Sequence, residues 1–234
     1  MSISARARPD VRVARQLTLA LGYRESFARE DLVEGAANAA ALRLIDGWPD
    51  WPARTVALIG PQGAGKSHLA AIWASMSGAR VAAAHALDEA GVPGALTTGA
   101  LVVEDVEPGG FDERAFFHLI NLARSESADV LLTSREPPGG WAAKIPDLAS
   151  RFRAIPVVRL DPPGDELLRA VLVKLFADRQ LAVDEGVIAY LLARMERSFA
   201  AAGAVVAALD REALRLHRPV TRALASELFR DPAT

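Results

Sequence analysis

The chain contains no cysteine. Disulfides and thiolate metal sites are therefore excluded, and the composition suits a reducing compartment. Lysine is nearly as scarce: of 27 basic residues only Lys66, Lys144 and Lys174 are lysine, and the other 24 are arginine. No apolar run approaches the roughly 18 residues of a membrane span, and the N-terminus lacks the apolar core of a signal peptide. A soluble, cytoplasmic protein without membrane attachment is expected. The formal net charge of −2 argues against a strongly basic nucleic-acid-binding domain. At 234 residues there is room for one α/β domain and a small satellite, with a core that needs no covalent staples.

Five short apolar runs, 55–59, 80–84, 100–103, 129–133 and 155–160, alternate with helix-like stretches such as 38–46, 68–77 and 112–125. Asp112 is placed as an N-cap and Gly78 as a helix stop. This alternation predicts an α/β fold, a parallel five-stranded sheet with helices on both faces. Its ligand site should lie beyond the carboxyl ends of the strands. Asp161-Pro162-Pro163-Gly164 changes the texture, and only helical patterns follow, over 165–179, 184–195, 198–216 and 219–229. The expected organisation is an N-terminal arm (1–24), an α/β nucleotide-binding domain (25–162) and a small all-α domain (163–234).

The arm carries Gln16-Leu17-Thr18-Leu19-Ala20-Leu21, whose leucines alternate. It reads either as a strand or helix edge attached to the domain, or as an extended peptide whose leucines enter a partner's pockets.

The strongest motif is Gly60-Pro61-Gln62-Gly63-Ala64-Gly65-Lys66-Ser67, set between an apolar strand and a helix. This is the G-x-x-x-x-G-K-[ST] phosphate loop in its proper context. Glycines let backbone N–H groups and a helix N-terminus face phosphate oxygens. Lys66 is expected on the β/γ-phosphates and Ser67 on Mg²⁺. Where a random basic residue would almost always be arginine, a lysine at this position matters. Glu104 and Asp105 end the third strand, suited to holding Mg²⁺ and positioning water. Thr133 and Ser134 end the fourth, suited either to sensing a γ-phosphate or to capping a turn. Arg151, in Leu148-Ala149-Ser150-Arg151-Phe152-Arg153, could reach a neighbouring subunit's nucleotide. An arginine in Arg194-Met195-Glu196-Arg197-Ser198 could fold back over the chain's own.

Together with Leu32-Val33-Glu34-Gly35, Asn38, His68-Leu69, Phe116-Phe117-His118-Leu119-Ile120-Asn121 and Ile145-Pro146-Asp147-Leu148, these motifs resemble the DnaA-type initiator clade of AAA+ ATPases. Within it they are most similar to the Hda-type regulatory inactivators of α-proteobacteria. The resemblance spans roughly residues 25–230 and implies an AAA+ P-loop fold followed by a helical lid. It implies ADP or ATP as ligand with Mg²⁺ on Ser67 and Glu104. Leu32 and Val33 would lie near the adenine, His68 beside the loop, Arg151 at the arginine-finger position and Arg197 at the lid sensor position. Gln16, Leu17, Thr18, Leu19 and Leu21 would form a peptide that binds the DNA polymerase sliding clamp. The implied function is negative regulation of replication initiation, stimulating ATP hydrolysis by the DnaA initiator with weak or no autonomous ATPase. The alternative is an AAA+ loader or remodeller of a replication complex, and AAA+ contacts also allow a homo-oligomer. Two departures stand out: Glu104 and Arg135 each occupy positions where initiators carry Asp. Full initiators continue into a helix-turn-helix domain, so no sequence-specific DNA binding is expected of this chain.

Overall fold

The computed structural model describes residue 29 and residues 32–230. Among them, β1 (Thr55–Ile59), β2 (Arg80–Ala83), β3 (Ala100–Glu104), β4 (Asp129–Ser134) and β5 (Val157–Arg159) form one parallel sheet in the order β2-β3-β4-β1-β5. β1 and β4 are buried along their whole lengths, and β3 in all but its last residue. Helices cover both faces, so these strands read as continuous apolar runs rather than alternations. The edge strands β2 and β5 are short and partly exposed, which limits pairing with other chains.

Alternation survives in where each residue points. Val56 and Leu58 join the core under α1 (Ala39–Asp46) and α2 (Lys66–Ser77), with Leu42, Ile45, Leu69 and Trp73. Ala57 and Ile59 join the opposite core, with α3 (Val92–Ala95), α4 (Glu113–Ser125) and α5 (Pro146–Ala154). A third core is built only from residues of α6 (Asp165–Asp178), α7 (Glu185–Leu192), α8 (Phe199–Leu216), α9 (Arg222–Leu228) and their connections, including Leu172, Phe176, Leu191, Val206 and Leu209.

Short polar side chains set the helix starts. The Asp112 carboxylate accepts from the Arg114 and Ala115 N–H groups, and Asp184, Ser198 and Thr221 cap α7, α8 and α9 in the same way. Gly78 ends α2 in the left-handed region. α7 and α9 are shorter than the apolar pattern predicts. Helix α5 is not anticipated by that pattern, because only Leu148 and Phe152 are buried along it. Pro146 sits in its first turn, where the missing N–H costs nothing.

Phe152 is 1% exposed and packs edge-on to Trp141 and Phe111, with centroids 5.0 and 5.6 Å away. Phe152→Ala is expected to lower unfolding stability by about 3–5 kcal/mol. Asp112→Ala, which removes only a cap, should cost about 1 kcal/mol. Urea denaturation of the two variants checks both magnitudes; equal losses would contradict this division between core and cap.

Candidate functional site

The glycine-rich loop joins β1 to α2. Gly63 has φ +75°, a left-handed backbone that other residues adopt only with strain. A Cβ there would also lie 2.6 Å from Ser198 Cβ. At Gly60 a Cβ would meet the Leu160 carbonyl oxygen at 2.5 Å, a backbone contact with no room to give. Lys66, 9% exposed, donates from Nζ to the Gly60 and Pro61 carbonyl oxygens, both at 2.8 Å. Burial pushes its pKa below 10.5; the Asp105 charge opposes that shift and Arg135 adds to it. The loop thus presents a desolvated ammonium that lacks an anionic partner.

Above the loop opens a cavity of about 810 Å³ lined by Gln62, Gly63, Ala64, Gly65, Lys66, Ser67 and His68. Leu32, Val33, Leu160, Val171 and Leu175 add an apolar wall, the last two from α6. Asn38 fixes the Leu32-Val33 segment from below. Its Oδ1 accepts from Gly35 N–H at 2.8 Å and its Nδ2 donates to the Val33 carbonyl at 2.9 Å. One cavity therefore offers a cationic, N–H-lined floor and an apolar wall, the two surfaces that a nucleoside phosphate needs.

The β3 tip contributes acids in two environments. Asp105 lines the cavity with φ +53°. Its N–H donates to Thr133 Oγ1 at 3.1 Å, and Val106 N–H donates to the Thr133 carbonyl at 2.9 Å. Thr133 is therefore a positioning residue for the acid. Ser134 Oγ donates to the Glu136 carbonyl at 2.8 Å and accepts from Glu136 N–H. Neither hydroxyl is among the cavity's lining groups. Glu104 is not among the cavity's lining groups either, and its Oε1 is shielded from solvent and has no hydrogen-bond partner. An orphaned carboxylate oxygen at a strand tip suits a divalent cation, and the Ser67 hydroxyl in the cavity is a second oxygen donor. Among the described residues no three acidic or histidine ligands gather. That suits Mg²⁺, which takes one or two protein oxygens and fills its shell with phosphate and water. When bound, such an ion would neutralise phosphate charge; Ser67 and Glu104 would hold it and Asp105 would orient water.

The remaining predicted residues lie elsewhere. Gly60 and Pro61 hold Lys66 but do not line the cavity. Arg197 is outside it, on the bundle surface, paired with Asp165 at 3.1 Å. Arg151 is also outside. It lies on α5, where it pairs with Asp147 at 3.3 Å and stands over the Phe117 ring at 5.2 Å, with a shielded, unpartnered Nε. Gln16, Leu17, Thr18, Leu19 and Leu21 fall outside the described residues.

Several lining residues escape sequence reasoning. Phe199, Ala200 and Gly203 come from the start of α8, and Phe199 N–H donates to the Gly63 carbonyl at 2.9 Å. Lys174 and Asp178, an ion pair at 2.8 Å on α6, face the cavity as well. The lysine scarcity that singles out Lys66 applies equally to Lys174 and could have found it. Arg135 lines the mouth, 3.4 Å from Glu107 and 3.5 Å from Gln62 Oε1.

The structure is similar to domain III of the Thermotoga maritima replication initiation protein DnaA (TM-score 0.69, 18% identity), covering 88% of this chain and 96% of that one. The chain has the AAA+ fold. AMPPCP-bound DnaA from Aquifex aeolicus is similar at TM-score 0.65 and 17% identity, over 81% of this chain and 66% of that one. A single-substitution variant of Thermotoga maritima RuvB matches at 0.67 and 13%, over 86% and 70%. In sequence, the chromosomal replication initiator protein DnaA of Thermomicrobium roseum is 25% identical over 142 residues, 58% of this chain and 30% of that protein. The chain thus spans under a third of that initiator's length. No protein-family model matches the sequence. Among the described residues no helix is long and apolar enough to cross a membrane.

An anion beside Lys66 favours its charged form, so binding and protonation reinforce one another. With the folded pKa below 10.5, ADP affinity is expected to be highest near neutrality and to fall as pH climbs toward 10.5. Lys66→Ala should weaken ADP by about 10- to 100-fold at neutral pH, the worth of a charge-assisted bond. Calorimetric titration with ADP from neutral to alkaline pH checks both, and a flat wild-type profile would contradict a role for the ammonium.

Proposed function

We propose that this chain binds adenine nucleotide with Mg²⁺ and acts as an Hda-type negative regulator of replication initiation. In this reading the bound nucleotide, ADP in the working state, sets the conformation of the helical bundle. Residues 16–21 dock the chain on the DNA-loaded sliding clamp, and Arg151 reaches ATP held by the DnaA initiator. Hydrolysis then occurs in the partner's site and returns the initiator to its ADP form. The N-terminal arm (1–24), the AAA+ domain (25–162) and the lid (163–234) divide these tasks as tether, switch and reporter. In this reading the working protein is cytoplasmic.

The observation that carries the reading is the setting of Arg151. It is held on α5 away from the chain's own cavity, propped by Asp147 and Phe117, with an Nε that finds no acceptor within the chain. A guanidinium that is part-exposed and incompletely satisfied within its own chain is suited to phosphate oxygens from a partner. The partial match to DnaA and the likeness to AMPPCP-bound DnaA support a replication setting and an adenine nucleotide. Arg197, bound to Asp165 on the surface, would have to exchange that partner to reach the cavity, so lid sensing by Arg197 requires bundle movement.

A second reading is favoured by Asp105 in the cavity and the unpartnered Glu104 oxygen. These acids equip the chain for its own ATP cycle as a loader or remodeller. The two readings separate in one assay of initiator ATPase with clamp loaded on DNA. Arg151→Ala is expected to remove stimulation by a factor on the order of 10³ or more, while ADP affinity stays unchanged. Full stimulation by that variant would sink the regulatory mechanism. Gln16→Ala/Leu17→Ala should lose clamp capture in a pull-down, and a variant that retained it would remove the tether.

A further inference from the structure

Two of the chain's three lysines, Lys66 and Lys174, line the nucleotide cavity. Lys66 belongs to the glycine-rich loop, whereas Lys174 stands on α6 and donates to Asp178 Oδ2 at 2.8 Å. Val171, Lys174, Leu175 and Asp178 all line the cavity, at the i, i+3, i+4, i+7 spacing of one helix face. That face carries an apolar row, Val171 and Leu175, beside a polar row, Lys174 and Asp178. The cavity's other acids, Asp105 and Glu107, lie just past β3 on the sheet domain, so Asp178 is the acid that the bundle contributes.

The pair is placed against the ordinary electrostatics of a helix. Asp178 is the last residue of α6, where unpaired carbonyls favour a cation, and no basic residue lies in that last turn. Lysine ahead of acid is also the weaker order for an i,i+4 pair. Lys174 and Asp178 are nevertheless only 28% and 27% exposed, whereas Arg29–Asp46, Arg135–Glu107, Arg169–Glu185 and Arg197–Asp165 each leave a partner at least 45% exposed. A sheltered carboxylate that helix stability does not call for points to a role in the cavity.

That role follows from what a nucleotide offers. In the reading above the glycine-rich loop and Lys66 take the phosphates, which a carboxylate would repel, and Val171 and Leu175 suit the flat faces of the base. The ribose presents two adjacent O–H donors and no charge, the complement of a carboxylate. We propose that Asp178 accepts hydrogen bonds from the ribose hydroxyls, with Lys174 as the positioning residue that fixes the carboxylate, so that the cavity selects ribonucleotides over deoxyribonucleotides. This rests on the nucleotide reading above and adds a sugar specificity to it.

Calorimetric titrations of the full chain with ADP, 2′-deoxy-ADP and IDP test it. Wild type should bind 2′-deoxy-ADP about tenfold or more weakly than ADP, because a buried acceptor built for a hydroxyl is left unpaired. Asp178→Ala should bring ADP down to the affinity of 2′-deoxy-ADP while 2′-deoxy-ADP itself stays within about twofold, a pattern that a lost fold cannot produce. Lys174→Ala should narrow the preference to about threefold. Lys66→Ala should weaken both ligands by the same factor and keep their ratio. Equal wild-type affinities for ADP and 2′-deoxy-ADP overturn the ribose assignment and leave nucleotide binding intact. So does an Asp178→Ala variant that keeps the sugar preference, or one that changes the ratio of ADP to IDP instead, which would put the carboxylate on the base edge. Absence of ADP binding by wild type overturns the nucleotide reading and this inference with it.

Discussion

The backbone hydrogen bond from Phe199 N–H to the Gly63 carbonyl, 2.9 Å long, ties the helical bundle to the phosphate loop. Much else depends on this junction. It needs a left-handed residue without a Cβ at position 63, since Ser198 already fills the space that a side chain would take. It places the first turn of α8 over the loop, so that Phe199, Ala200 and Gly203 complete the cavity that α6 walls with Val171 and Leu175. The bundle has its own core, and one of its contacts with the sheet domain, the Phe199–Gly63 hydrogen bond, falls at the place where phosphates would sit. A ligand that reorganises the loop therefore acts directly on the bundle. Lys66 sharpens the coupling: its ammonium is satisfied by two loop carbonyls, and an arriving phosphate competes with both.

The chemistry of the site is divided between two directions. Lys66, Ser67 and Asp105 line the cavity, and the orphaned Glu104 oxygen belongs to the residue just before Asp105 at the β3 tip. Arg151, with its own unpartnered Nε, lies outside that cavity. Buried polar atoms without partners are costly to maintain, and they occur at Trp73, His118 and Trp141 as well as at Glu104 and Arg151. In the proposed function the cavity residues would give the chain a nucleotide-dependent state, and Arg151 would be the part that acts on a neighbour.

Much of this was legible in the residues themselves. The phosphate loop, the five strands and the caps at Asp112 and Gly78 follow from local rules that burial on both faces does not override. Helix α5 was not legible, because two buried residues are too few to mark a period. In sequence the hydroxyls at the end of β4 suit either a phosphate sensor or the capping of a turn. In the fold Thr133 and Ser134 are 0% and 2% exposed and bonded to nearby backbone, while Arg135 is the residue that lines the cavity. Strand-end polarity says that a group is near the carboxyl edge, and only packing says which way it turns. The wall built by α6 and α8 was hidden for a related reason. Leucines and alanines that line a cavity have the same helical spacing as those that line a core.

The most direct measurement follows the fate of one phosphate. The initiator is preloaded with γ-labelled ATP, this chain with unlabelled ADP, and the two are mixed on clamp-loaded DNA in a single-turnover experiment. Label released from the initiator much faster than the initiator releases it alone is the result expected of a regulator whose own site holds a conformation. Release at the unstimulated rate, together with brisk ATP turnover by this chain in isolation, would contradict that role and assign the chemistry to its own cavity.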